Sequence, residues 1–317
     1  MTVTRPARLA GAALCAVLAL ICAGWILKDL AALGSPVDLA WHWAGDQHLP
    51  VRGRPATSLV DAVLLVASAA AAVAGLRSRH AASAFAATGT VTLALRLPGL
   101  WEPDSGALLT ALVELALAAA LVVTAAVGRR PGAAPHEPLP GRPRPGPAAA
   151  AGALLATGAV VLALWELYWA GELPLEATVD RFTGGRSIMK SALAPPPAWL
   201  SLTLVALYGT GAVSVLLRAR HSRATGLLAG AFLAAGGLAA VARTTRYEMI
   251  GHFADLPAYG RLTVLTALFG LLGGLAVLAL LAGRGAPPGA PGEEGEDREA
   301  AEESEEGGED HPPPPGW

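Results

Sequence analysis

Lysine is almost missing from this 317-residue chain, where Lys28 and Lys190 stand against 21 arginines. With alanine, glycine and proline so abundant, the imbalance reads as the bias of a GC-rich genome, not as arginine chemistry. Charge is scarce in general. Only 15% of residues are charged and 53% are hydrophobic, against about 25% charged in a soluble domain. That excludes a globule wrapped in water. Cysteine is limited to Cys15 and Cys22. At helical spacing they share a face about 10 Å apart, beyond the reach of a disulfide. Sequence templates for common chemistry are also absent: no phosphate-cradling glycine loop, no HExxH and no G-x-S-x-G elbow occurs.

The charge that is present is unevenly placed. Eleven carboxylates and one arginine crowd into Glu293–Asp310, leaving 22 basic and 14 acidic side chains in the body before it. The net −2 therefore averages a basic body with an acidic tail, and it gives no reason to expect nucleic acid as a partner. Residues 284–317, rich in Gly, Pro and Glu with few apolar side chains, are expected to be disordered.

Long apolar runs fill the rest. Leu9–Leu27, Leu59–Leu76, Ala81–Leu97, Gly106–Gly128, Ala148–Ala170, Ala198–Leu217, Ala224–Ala242 and Gly260–Ala282 each approach the roughly 20 residues that cross a bilayer core. They predict an all-α polytopic bundle of about eight spans, with the bilayer itself as principal partner. The first run, behind Arg5 and Arg8, is too long for a secretory signal and reads as an uncleaved helix. Tight turns carry Arg77, Arg79, Arg218, Arg220 and Arg223 without an acid. By the positive-inside rule they predict a multi-pass cell-membrane protein with both termini cytoplasmic.

The turns also echo one another. Leu76-Arg77-Ser78-Arg79-His80 recurs as Leu217-Arg218-Ala219-Arg220-His221, 141 residues on, and Trp25 is matched by Trp165 at 140. Residues 1–128 and 148–283 then read as two parallel copies of a four-helix unit, joined by a Pro/Arg-rich linker at 129–147. The second half carries Tyr168-Trp169-Ala170 at the end of a helix. In this it resembles a group of uncharacterised actinobacterial integral membrane proteins. Their signature continues Leu-Gly-Gly where this chain has Gly171-Glu172-Leu173. The resemblance implies a helical membrane architecture and no activity.

Ionisable residues inside spans mark where chemistry could sit, because they cost free energy in a bilayer. Glu114 lies about 12 Å into the fourth run. Glu166 stands one turn from the end of the fifth, and Arg96, Arg243 and Arg246 end the third and seventh. All five belong to one half of the membrane thickness. They are either a carboxylate–arginine cluster for a small hydrophobic or anionic ligand, or arginines that snorkel to headgroups. The leading expectation is a binding or transport protein with an outward-facing polar pocket. The alternatives are a membrane enzyme acting on a lipid or isoprenoid, with Glu114 or Glu166 as acid/base, and a structural or regulatory subunit. His42, Asp46 and His48 share one loop but lack a defined ligand scaffold, so no metal or cofactor is expected.

Overall fold

Four of the described helices start at a side-chain cap and three at proline. Thr4 caps α1 (Arg5–Leu33), its hydroxyl accepting from Ala7 N at 3.4 Å. Ser35 caps the short α2 (Pro36–Trp43) in the same way. Ser58 and Asp61 open α3 (Leu59–Arg77) with a capping box, and Asp104 caps α5 (Ser105–Val127), accepting from Ala107 N at 2.8 Å. Between them lies α4 (Ala82–Arg96), followed by a 3-10 turn over Leu97–Trp101. Pro145, Pro174 and Pro196–Pro197 mark the starts of α6 (Pro145–Glu172), α7 (Leu175–Thr183) and α8 (Pro197–Leu216). Proline suits these positions because a first-turn N–H has no helical partner. Helices α9 (Ser222–Arg246) and α10 (Ala258–Ala282) complete the chain.

The computed structural model describes residues 2–46, 55–78, 81–101, 104–130, 144–219 and 221–283. His48, Arg79, His80, Arg220, most of the expected linker and the acidic tail lie outside the described residues.

Among the described residues, seven helices are long and apolar enough to cross a membrane: α1, α3, α5, α6, α8, α9 and α10. The third expected span is the exception. Helix α4 has 15 residues, about 22 Å of rise, because Pro98 cannot continue it. It still runs the full way between its neighbours. Gly75 near the end of α3 packs on Phe85 near the start of α4, while Asp61 at the start of α3 meets Arg96 at the end of α4. The helices turn apolar side chains outward, with Leu20, Val66, Leu164, Leu167 and Leu272 all exposed, and pack through small ones such as Ala118, Ala151, Ala229 and Gly274. Apolar outside and small inside is the pattern of helices packed in lipid. The molecule is a multi-pass helical membrane protein.

Both halves use one packing scheme. Their first and second long helices pair (α1 with α3, α6 with α8), the third and fourth pair (α4 with α5, α9 with α10), and the fourth returns to the first (α5 to α1, α10 to α6). Between halves, α4 meets α9, and the α3–α9 contact has its counterpart in α4–α8. Swapping the halves therefore maps the interface onto itself, as a two-fold axis along the bundle would require.

One end of the bundle, called here the termini face, holds the tight turns. There Thr2 and Val3 pair with Arg130 and Arg129 in a two-residue antiparallel bridge, and Arg223 donates to Ala282 O at 2.7 Å, closing the last turn of α10. The opposite loop face holds α2, α7 and the long connections. Here the halves interlock. Leu193 N donates to Ala56 O at 2.9 Å, Trp199 Nε1 to Ala94 O at 2.7 Å and Trp101 Nε1 to Thr183 O at 2.7 Å.

Candidate functional site

Beneath the interlocked loops sits a group of charges closed off from solvent. Asp61, Arg96 and Glu114 are 0%, 2% and 1% exposed. Asp61 and Arg96 are placed by helix ends, Glu114 by the body of α5. Asp61 is the acid of the α3 capping box, where its Oδ2 accepts from Ser58 N at 2.6 Å and Ser58 Oγ at 3.0 Å. Its Oδ1 is left to accept from Arg96 Nη2 at 2.5 Å. Arg96 is the last residue of α4, so its side chain reaches past the helix end to both neighbouring helices. Its Nε lies 2.6 Å from Glu114 Oε2 in a charge contact, with Nη2 3.4 Å from Oε1. Its Nη1 donates to Leu193 O in the second-half loop at 2.7 Å. Glu114, two turns into α5, also faces Cys22 of α1, whose Sγ lies 3.7 Å from Oε1.

A second buried polar layer lies above the first. Asp29, near the end of α1, accepts from Ala56 N at 3.0 Å, from Thr57 N at 2.7 Å and from Thr57 Oγ1 at 2.6 Å. Trp43 Nε1 donates to the same threonine hydroxyl at 3.3 Å. This carboxylate fixes the strand-like entry to α3 and so holds Ser58 and Asp61 in place. His42 Nε2 meets Ser191 Oγ at 3.0 Å, tying α2 to the loop that carries Leu193. Burial pushes the His42 pKa below its usual 6.5, opposed in part by the Asp29 charge.

The five candidate residues are thus divided. Arg96 and Glu114 come together, and Arg96 does not snorkel; two carboxylates and a carbonyl hold it inside the protein. Glu166 is half-buried and accepts two hydrogen bonds from Arg181 Nη2, at 2.8 and 2.7 Å, pinning α7 back onto α6. Arg246 pairs with Asp46 at 2.7 Å and lies over the Trp41 ring, 4.4 Å from its centroid. Arg243 approaches the backbone at Gly45. These three organise the loop face and do not join the buried cluster. Of the loop residues with metal-ligand chemistry, His42 and Asp46 have the protein partners just given, and no group of three such ligands occurs among the described residues.

No family model, curated protein or solved structure matches the chain. Its reading therefore rests on the geometry alone.

Asp61 is the member of the cluster that sequence reasoning passed over as a site residue. Its place in the capping box at the start of α3 accounts for a carboxylate there without any partner on α4. Cys22 gave no signal beyond a small apolar filler. The cluster also has no counterpart in the second half. At the 141-residue offset of the echoed turns, Arg96 corresponds to Gly237, whose backbone lies directly against Gly270 and Leu271. The packing scheme is shared, and the charges belong to one half only.

Proposed function

We propose that this protein binds or transports a small ligand, with Asp61, Arg96 and Glu114 as the working centre. In this reading the loop face is external, the termini are cytoplasmic and the halves are copies of one unit. The observation that carries it is a guanidinium shared by two carboxylates, shut from solvent between the loop-face ends of α3 and α4 and the body of α5. Charges so placed are costly, and where they occur they commonly mark an ion or substrate path. The arrangement also links the cluster to the loop cap through Leu193 O, so a change of charge in the cluster is felt where the two halves interlock.

An acid–base enzyme using Glu114 with Glu166 draws less support, since Glu166 is held by Arg181. A structural subunit is favoured by one specific fact: Arg96 is engaged on three sides. Complementation of a deletion strain separates the readings. Asp61→Asn and Glu114→Gln variants that express and remain monodisperse in detergent, yet fail to complement, support a working centre. Loss of function that merely tracks loss of thermal stability across the variants supports a structural lock. Full complementation by both would sink the working-centre reading.

A further inference from the structure

We infer that the ligand of this centre is a proton, taken up reversibly by Glu114 and relayed along buried hydroxyls of α4. The inference rests on the working-centre reading above and adds the chemical identity of what is bound.

Counting charge leads to Glu114. The groups facing it are Cys22 from α1, Asp61 from α3 and Arg96 from α4, while the 97–101 turn contributes no ionisable group. One cation therefore serves two carboxylates. Asp61 is the better satisfied of the two. It accepts from Ser58 N, Ser58 Oγ and Arg96, and it sits in the first turn of α3, where the helix dipole favours a negative charge. Glu114 lies mid-helix, without that help. Apart from Arg96 it has only the Cys22 thiol, a weak donor. The surplus negative charge is thus Glu114's, and binding one proton to its carboxylate removes it. The step forms an O–H bond on Glu114 and breaks one on the donor, with no change of oxidation state.

An independent feature lies on the termini-face side of the cluster. Thr92 stands one turn from Arg96 on the same face of α4, and Thr88 one turn further toward the termini face; both are buried. On α3, buried Ser68 lies seven residues beyond Asp61, about 10 Å along the same direction. Several mid-helix threonines of this protein, Thr110, Thr124, Thr210 and Thr266, spend their hydroxyl on the carbonyl one turn back, while the buried Thr178 hydroxyl of α7 has no partner among the described residues. Thr92 is like Thr178: its Oγ1 is buried without a hydrogen-bond partner among the described residues. A buried hydroxyl with donor and acceptor both open is costly for packing and is what a proton relay requires.

The test uses the full chain in liposomes of phosphatidylethanolamine and phosphatidylglycerol, with an entrapped pH dye and a potassium diffusion potential. Infrared difference spectra of the same samples report protonated carboxyl groups. The expected result is a carboxylic-acid band that grows as the pH is lowered, disappears in Glu114→Gln and persists in Glu166→Gln. Proton flux is lost in Glu114→Gln and slowed several-fold in Thr92→Val, whose band is unchanged. Should Glu114→Gln not fold, Glu114→Asp replaces it and shifts the band's titration midpoint. A wild-type protein without a titrating band overturns the inference, as does a band that survives in Glu114→Gln. Wild-type liposomes without flux, or full flux in Thr92→Val, overturn the relay. A missing band together with failed complementation by Glu114→Gln sinks the proton and leaves the working centre standing; full complementation sinks both.

Discussion

Replacing Arg96 with methionine puts the charge arrangement to its most direct test. Methionine roughly fills the volume of the arginine stem but leaves Asp61 and Glu114 facing each other without a cation, both almost fully buried. Removing one partner of a buried ion pair costs about 3–5 kcal/mol, because the remaining charge is uncompensated. Here two charges are left behind, and the donor to Leu193 O goes with the guanidinium. Glu114→Gln should behave differently. It leaves Arg96 and Asp61 as a balanced pair and keeps an amide next to Arg96, so the loss is about 1–2 kcal/mol, the scale of one charge-assisted hydrogen bond. The combined Asp61→Asn, Arg96→Met, Glu114→Gln variant carries no buried charge and should recover most of what Arg96→Met loses. For a bundle of this size about 1 kcal/mol moves the unfolding midpoint by 2–4 °C, so the two single variants should be separated by roughly 5–10 °C. Thermal unfolding in one detergent, followed by tryptophan fluorescence and by size-exclusion recovery, measures the order. If Arg96→Met is no less stable than Glu114→Gln, or the triple variant falls below Arg96→Met, then Arg96 is not neutralising buried carboxylates and the account of the site is wrong.

Three further outcomes follow from other parts of the molecule. A methyl group at Gly237 would meet the backbone of Gly270 and Leu271, whereas at Gly236 it would meet nothing. Gly237→Ala should therefore cost at least about 1–3 kcal/mol through forced separation of α9 and α10, while Gly236→Ala is neutral or stabilising; paired melting curves decide it. His42 is held neutral by burial, so its contribution is complete above about pH 6.5 and is lost as the pH falls through its lowered folded value. Hydrogen-exchange protection factors, corrected for the intrinsic rate, should fall at residues 55–58 and 191–193 on acidification, and His42→Gln should abolish that fall. The Glu166–Arg181 pair is partly exposed, so Glu166→Gln should change global stability by under about 1 kcal/mol while limited proteolysis near α7 becomes faster; unchanged cleavage would show that α7 is held by other contacts.

The amino-acid sequence by itself determined the solvent and the elements. A bilayer span needs only length and apolarity, both local properties, so seven of the eight expected helices stand where their runs predict. Pro98 already marked where the third would stop. The echoed turns pointed to two like halves, and the long helices of each half pair in the same order, which leaves a duplication of one unit as a proposal. What the tertiary structure alone decided is which charges meet. Arg96 at a helix end reads equally as a snorkelling side chain or a buried cation. The choice depended on Asp61, 35 residues earlier, and on a carbonyl 97 residues later in the other half. The same holds for Glu166 and Arg246, whose partners Arg181 and Asp46 come from the short helix α7 and from the loop after α2, whose placement no periodicity describes. Hydropathy is a sum over neighbours in the chain, whereas an ion pair is a coincidence of distant ones, and only packing brings those together.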